Sequence, residues 1–293
     1  MKTPIALVLA GAAALAATPV LGLAQAQDAD HLWSKSYPVS RPTLNIETGD
    51  AGLQISSCGE CREIRIKVET GGVKLNEYRL EESQTGDQIH FLLKEKTHVV
   101  GHITWHRTQT KVTVETPADL TLESHSGDGS VSVSGLNGDL GLTTSDGNVT
   151  ADHLSGKLHI KSSDGHVRIT NSTGALEART SDGNLTVDGA FNAVTLHTSD
   201  GKLEVSLREG TKLSEPSIIQ ASDGSVTVRL PRDLAADLDV HTSDGHLDCA
   251  LPLTMDHYDS KDGGGHNLHG KLNGGGTPLT IHTSDGSVKI EQI

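Results

Sequence analysis

Aromatic side chains are almost missing from this 293-residue sequence, which holds two Trp, three Tyr and two Phe, 2% of the chain. That scarcity excludes a core packed around rings and leaves few platforms for stacking sugars or bases. Cysteine occurs three times, with one C-x-x-C and no second pair to complete a zinc site. Positive charge is in deficit: 24 Lys and Arg against 38 Asp and Glu give a net charge of −14. Such a chain repels phosphate backbones and anionic lipid, so no nucleic-acid partner is expected. Beyond the first 26 residues no stretch is long and apolar enough to span a bilayer. No segment there shows a helical period either.

What is present begins with the features of an export signal. Lys2 supplies a positive start, residues 5–17 are apolar, and Ala24-Gln25-Ala26 is a small-x-small cleavage site. A transmembrane anchor is the competing reading, but the apolar run is short and broken by Pro19 and Gly22. The expectation is a signal peptide over residues 1–26 and a mature chain from Gln27, in the periplasm or outside the cell.

Glycine then sets the rhythm. It falls at 129, 138, 147, 156, 165, 174, 183 and 201, every ninth residue, with Asn192 breaking the series. Aliphatic residues follow in alternation, as in Gly-Lys-Leu-His-Ile from Gly156, the period of a half-buried strand. Alternate glycines close Ser-Asp-Gly or Gly-Asp-Gly, so the unit is 18 residues with two strands. A period of that size marks coils that bury a core only by stacking. The predicted fold is all-β: a flattened, two-sheet parallel β-solenoid, right-handed by the crossover rule. Leu158 and Ile160 point inward, and Val149, Val167, Leu185 and Leu203 share one inward column.

Along the chain, residues 27–43 read as a flexible lead-in with Pro38 and Pro42. A single domain fills 44–293: irregular strands over 44–122, regular repeats over 123–205, and looser coils over 206–293. Loops are expected at 208–216, 232–237 and, longest, 252–278. The corner aspartates are Asp128, Asp146, Asp164, Asp182 and Asp200, 18 apart, then Asp223, Asp244 and Asp285. In a turn, Asp accepts from nearby backbone N–H groups and Gly supplies a positive φ.

Cys58 and Cys61, spaced as C-x-x-C, could close a small disulfide in an exported chain, leaving Cys249 unpaired. A redox pair wants a thiolate at a helix N-terminus, and the flanks Leu-Gln-Ile-Ser and Glu-Ile-Arg-Ile-Lys-Val read as strands.

Three motifs together resemble a bacterial, adhesin-labelled family of exported β-strand-repeat proteins, first defined as a domain of unknown function. They are the lead-in Val112-Thr113-Val114-Glu115-Thr116-Pro117, coils of the form Leu-x-x-x-(Ser/Thr)-x-Asp-Gly-x-Val, and the Gly-rich approach from Gly274 to Gly286. The likeness runs from about residue 40 to 293. It implies a parallel β-solenoid and carries no catalytic residues.

The remaining candidates divide by chemistry. The aspartate column would suit calcium if stacked carboxylates needed a hard cation, but one carboxylate per 18 residues supplies few ligands. His125, His197, His241 and His282 share a column with Thr143, Lys161, Arg179 and Gln220, the mixture of a solvent-facing row. His98, His102 and His106 would lie roughly 13 Å apart on a strand, too far for one metal. The segment 256–276 holds His257, Asp259, Asp262, His266 and His269, where a transition metal could recruit His266 and His269. The reading is a non-catalytic interaction scaffold of the bacterial envelope with a protein or glycan partner and no cofactor. Outward residues such as His159, Lys161, Glu177 and Arg179, or the 256–276 segment, would carry binding. The alternatives are a polysaccharide-active β-helix enzyme, which needs a non-repeating carboxylate cluster, and a calcium-dependent envelope protein.

Overall fold

The structure is a computed structural model that describes residues 30–96, 110–260 and 265–293. The expected signal peptide, His98, His102, His106 and Asp262 lie outside the described residues. Among those described, the chain is all-β, with one 3-10 turn at Leu75–Glu77.

The N-terminal strands are β1 (Leu32–Pro38), β2 (Thr43–Thr48), β3 (Gly52–Ser57), β4 (Glu63–Glu69), β5 (Tyr78–Thr85), β6 (Gln88–Glu95) and β7 (Lys111–Thr116). The repeats supply β8 (Asp119–Ser126), β9 (Val131–Ser134), β10 (Asn137–Thr144), β11 (Val149–Asp152), β12 (Ser155–Ser162), β13 (Val167–Thr180) and β14 (Leu185–Thr198). Then come β15 (Leu203–Leu207), β16 (Ser217–Ala221), β17 (Val226–Leu230), β18 (Ala236–Thr242) and β19 (Leu247–Cys249). The last four are β20 (Leu253–Ser260), β21 (His266–Leu272), β22 (Thr277–Thr283) and β23 (Val288–Gln292).

Two ladders run the length of the molecule. The first pairs β6, β2, β8, β10, β12, the second half of β13, the second half of β14, β16, β22 and β18, all in parallel. The second pairs β7, β3, β9, β11, the first halves of β13 and β14, β15, β17, β23 and β19 in the same way. Through the repeats the register is the sequence period, Leu122 beside Leu140 beside Leu158 beside Leu176. The inward column Val149, Val167, Leu185 and Leu203 is in register and buried. Inward side chains of both ladders form one continuous core. Each buried aliphatic contributes roughly 1.5–3 kcal/mol.

The corners explain the glycines in two ways. Gly147, in Ser-Asp-Gly, does not have the expected positive φ. It is glycine because a Cβ there would overlap the carbonyl oxygen of Gly129 in the preceding coil. At the opposite corner, Gly156 has both constraints, with φ +104° and the Gly138 carbonyl in the same place. The turn hydroxyls also take a role expected of aspartate. Ser162 Oγ accepts from Gly165 N–H at 3.1 Å, and Thr180 Oγ1 donates to the Ser163 carbonyl at 3.1 Å while accepting from Gly183 N–H at 3.3 Å. These hydroxyls are buried, whereas all eight corner aspartates are exposed.

Both ends depart from the simple stack. The first coil, β2–β3, is not terminal: β6 and β7 pair outside it. Antiparallel β5 closes the first ladder, and β4 with β1 closes the second. Within the expected lead-in, Leu32–Pro38 is strand β1, which buries Tyr37 and covers the β4 edge. Aromatics collect at this end, where Tyr37, Tyr78 and Phe91 are buried and Trp33 packs 5.5 Å from Phe91. At the other end the final coil, β22–β23, inserts between β16–β17 and β18–β19. The expected loop over 252–278 is mostly an antiparallel hairpin, β20–β21, paired onto β18. Alternation in Leu268, Gly270 and Leu272 gives β21 a buried face, which glycine-rich composition had obscured.

Candidate functional site

Outward positions of the first ladder form two rows about 4.8 Å apart per strand. One row runs Glu123, Gly141, His159, Glu177 and Thr195 across β8, β10, β12, β13 and β14. Beside it run His125, Thr143, Lys161, Arg179 and His197. Alternation puts these side chains in solvent because their neighbours Leu158, Ile160, Leu176 and Ala178 fill the core. Glu177 is the centre of the patch: His159 Nδ1 lies 3.3 Å from one carboxylate oxygen and Arg179 Nη2 3.0 Å from the other. All three are substantially exposed, so the pairs add little stability and remain open to exchange partners. The direct cross-strand neighbours of Lys161 are Thr143 and Arg179, with Glu177 on the diagonal.

Further along the same row, Gln220 is followed by His282 and then His241. Coil insertion makes the last two neighbours; their rings stack with centroids 5.0 Å apart. His241 Nδ1 contacts the Asn267 side-chain oxygen, which fixes that ring against the hairpin. Burial, and then the His241 ring, hold His282 below the ordinary imidazole range. The expected pair His266 and His269 is split. His269 faces outward beside Asp239 at 3.6 Å, while His266 turns to the inner face and contacts Tyr258. They cannot share an ion. His257 and Asp259 lie on β20 opposite His269 and Asn267. Among the described residues no group of three or more His, Cys, Asp or Glu is arranged to hold a metal.

Two sites escaped sequence reasoning. Asp152 accepts from Thr170 Oγ1 at 2.7 Å and Asn171 Nδ2 at 2.8 Å, with His153 Nδ1 at 2.7 Å. These bonds hold its carboxyl at about 2. The corner is built on left-handed residues, His153 with φ 52° and Asn171 with φ 51°. In the sequence the available signal was Asn171 before Ser172 and Thr173, since Asn tolerates the left-handed region. At the other end, a groove of about 760 Å³ is lined by Asp50, Gln54, Glu69, Lys111, Asp128 and Ser130, among others. Asp50 takes the corner position in Gly49-Asp50-Ala51, outside the Ser-Asp-Gly pattern. Desolvation first, then Asp128 and Glu95, push its carboxyl up. The sulfurs of Cys58 and Cys61 meet at the tip between β3 and β4, with Cα atoms 5.8 Å apart. Cys249 is a free thiol, half-buried at the far end, and desolvation raises its pKa.

A stack of 18-residue, two-strand coils with polar outer rows defines an all-β repeat protein. The chain belongs to the Toastrack family, DUF4097, whose match spans residues 42–291. No curated protein matches it. Among solved structures, a "putative adhesin" from Parabacteroides merdae is 10% identical, with 89% of this chain and 96% of that one covered and a TM-score of 0.38. A "putative cell adhesion protein" from Clostridium sporogenes is 9% identical over 89% and 100%, with a TM-score of 0.25. A "putative lipid binding protein" from Parabacteroides distasonis is 10% identical over 90% and 97%, with a TM-score of 0.32. Among the described residues no helix is long and apolar enough to cross a membrane.

Proposed function

We propose that this chain is an exported, non-catalytic β-solenoid whose outer surface binds a protein or glycan of the bacterial envelope. The coils wind right-handed, and residues 44–293 form one domain behind a cleaved signal peptide. The observation that supports this most is the first ladder's outer face from β8 to β14. Five strands in strict register present Glu123, His125, His159, Lys161, Glu177, Arg179 and His197 on one regular surface. Evenly spaced strands that carry exchangeable charged and polar side chains suit a partner with its own repeat. The corner aspartates keep the edges solvated, and Cys58–Cys61 closes as a disulfide in an oxidising compartment.

Site-specific photo-cross-linking in cells tests the reading. Probes at Lys161 and Arg179 are expected to capture one recurrent partner, and a probe at Thr150, on the second ladder's outer face, to miss it. Equal capture from both faces, or none from either, would overturn the assignment.

A further inference from the structure

The C-terminal end of the stack is stepped. The first ladder continues past β18 by two strands, β21 and β20, whereas among the described residues the second stops at β19, paired only with β23. Among the described residues the inner face of the overhang is largely apolar, with His266 beside Tyr258, and no strand covers it. Met255 is 48% exposed and Tyr258 51%, two of the four exposed large hydrophobics among the described residues. Leu251, Leu253 and Cys249 are half-buried around the same cleft of about 380 Å³. The N-terminal end is not left this way, since β1 and β4 extend the second ladder and bury Tyr37.

We infer that two copies of this chain join end to end by a lap joint, each overhang filling the other's step. The step is self-complementary. A two-fold axis parallel to the strands exchanges the ladders of the second copy and turns its end to face the first. Its two-strand overhang then occupies the two-strand gap beside β19, about 10 Å at 4.8 Å per strand. Direction also fits. β20 runs parallel to β18, because two antiparallel steps separate them, and β19 runs back in the opposite sense after the Ser243–Gly245 turn. This axis preserves strand direction, so β20 of one copy lies antiparallel to β19 of the other and can pair with its open edge. Met255 and Tyr258 of each copy are covered by the overhang of its mate, as an isologous contact requires. The joint leaves the two Cys249 residues in opposite ladders, so it forms without a disulfide between them. It does not depend on the partner proposed above.

The test is light scattering on the purified mature chain across a dilution series, with and without reductant. The expected result is a reductant-insensitive dimer. Met255→Lys combined with Tyr258→Glu should raise its dissociation constant at least about tenfold. Both residues are half-exposed, so the variant should keep the wild-type circular dichroism spectrum and melting temperature. Ile218→Lys, equally exposed on the first ladder's outer face, should leave the dimer intact. A monomer at every concentration would overturn the proposal, as would a dimer lost on reduction, unchanged in the double variant or equally lost in Ile218→Lys.

Discussion

His241 and His282 stack with their ring planes within 7°, although they belong to coils far apart in sequence. Only insertion of the final coil between β16 and β18 makes them neighbours. The pair carries a pH signature, because His282 is held below the usual imidazole range by burial and then by His241. A histidine depressed in the folded state favours its neutral form there. Its contribution is fully present above the unfolded value of about 6.5 and is lost as pH falls through 6.5 toward the lower folded value. Wild type should therefore lose more melting temperature than His282→Gln between about pH 7.5 and 5.5. Parallel losses would contradict the stacked pair.

The two classes of glycine separate by substitution. Gly147→Ala sets a methyl group against the Gly129 carbonyl and should cost about 3 kcal/mol. Gly59→Ala, with φ +74° and open space around it, should cost only about 1 kcal/mol. Urea titrations of both variants would show the difference; equal costs would mean that backbone conformation, not inter-coil contact, selects glycine.

Hydroxyl and carboxylate at the corner should behave differently. Thr180→Val leaves the buried Gly183 N–H without its acceptor, while the Ser163 carbonyl keeps the Ser181 and Asp182 N–H groups, and should cost about 1–3 kcal/mol. Asp182→Asn, at an exposed position, should stay within about 0.5 kcal/mol of wild type. A larger effect at Asp182 would mean that the carboxylate holds the turn alongside the hydroxyl.

Ser124 is a polar residue in an apolar row. Its hydroxyl is buried without a hydrogen-bond partner, in register with Ile46 and Leu142. Ser124→Ala should stabilise the protein by about 1 kcal/mol, read as a higher melting temperature. Destabilisation would show that the hydroxyl has a partner after all.

The coil interior was legible because period-2 alternation and an 18-residue spacing determine which side chains face in. Val149, Val167, Leu185 and Leu203 needed nothing further. The ends were not legible, because which strand pairs with which is a tertiary choice. Sequence order placed β18 after β16, but β22 competes for the same edge and takes it. Likewise Pro38 and Pro42 suggested a mobile lead-in, yet the open β4 edge recruits Leu32–Pro38 as β1. Outer-row residues His159, Lys161, Glu177 and Arg179 followed from alternation alone. The Asp152 corner and the Asp50 groove did not, since each joins side chains from neighbouring coils outside the repeated motif.

The most direct measurement of the binding account is co-sedimentation of the purified mature chain with envelope fragments from its own cells. Wild type should pellet saturably, and Lys161→Glu combined with Arg179→Glu should weaken that binding about tenfold or more without changing the melting temperature. Equal pelleting by the two proteins would contradict the claim that the first ladder's outer face is the binding surface.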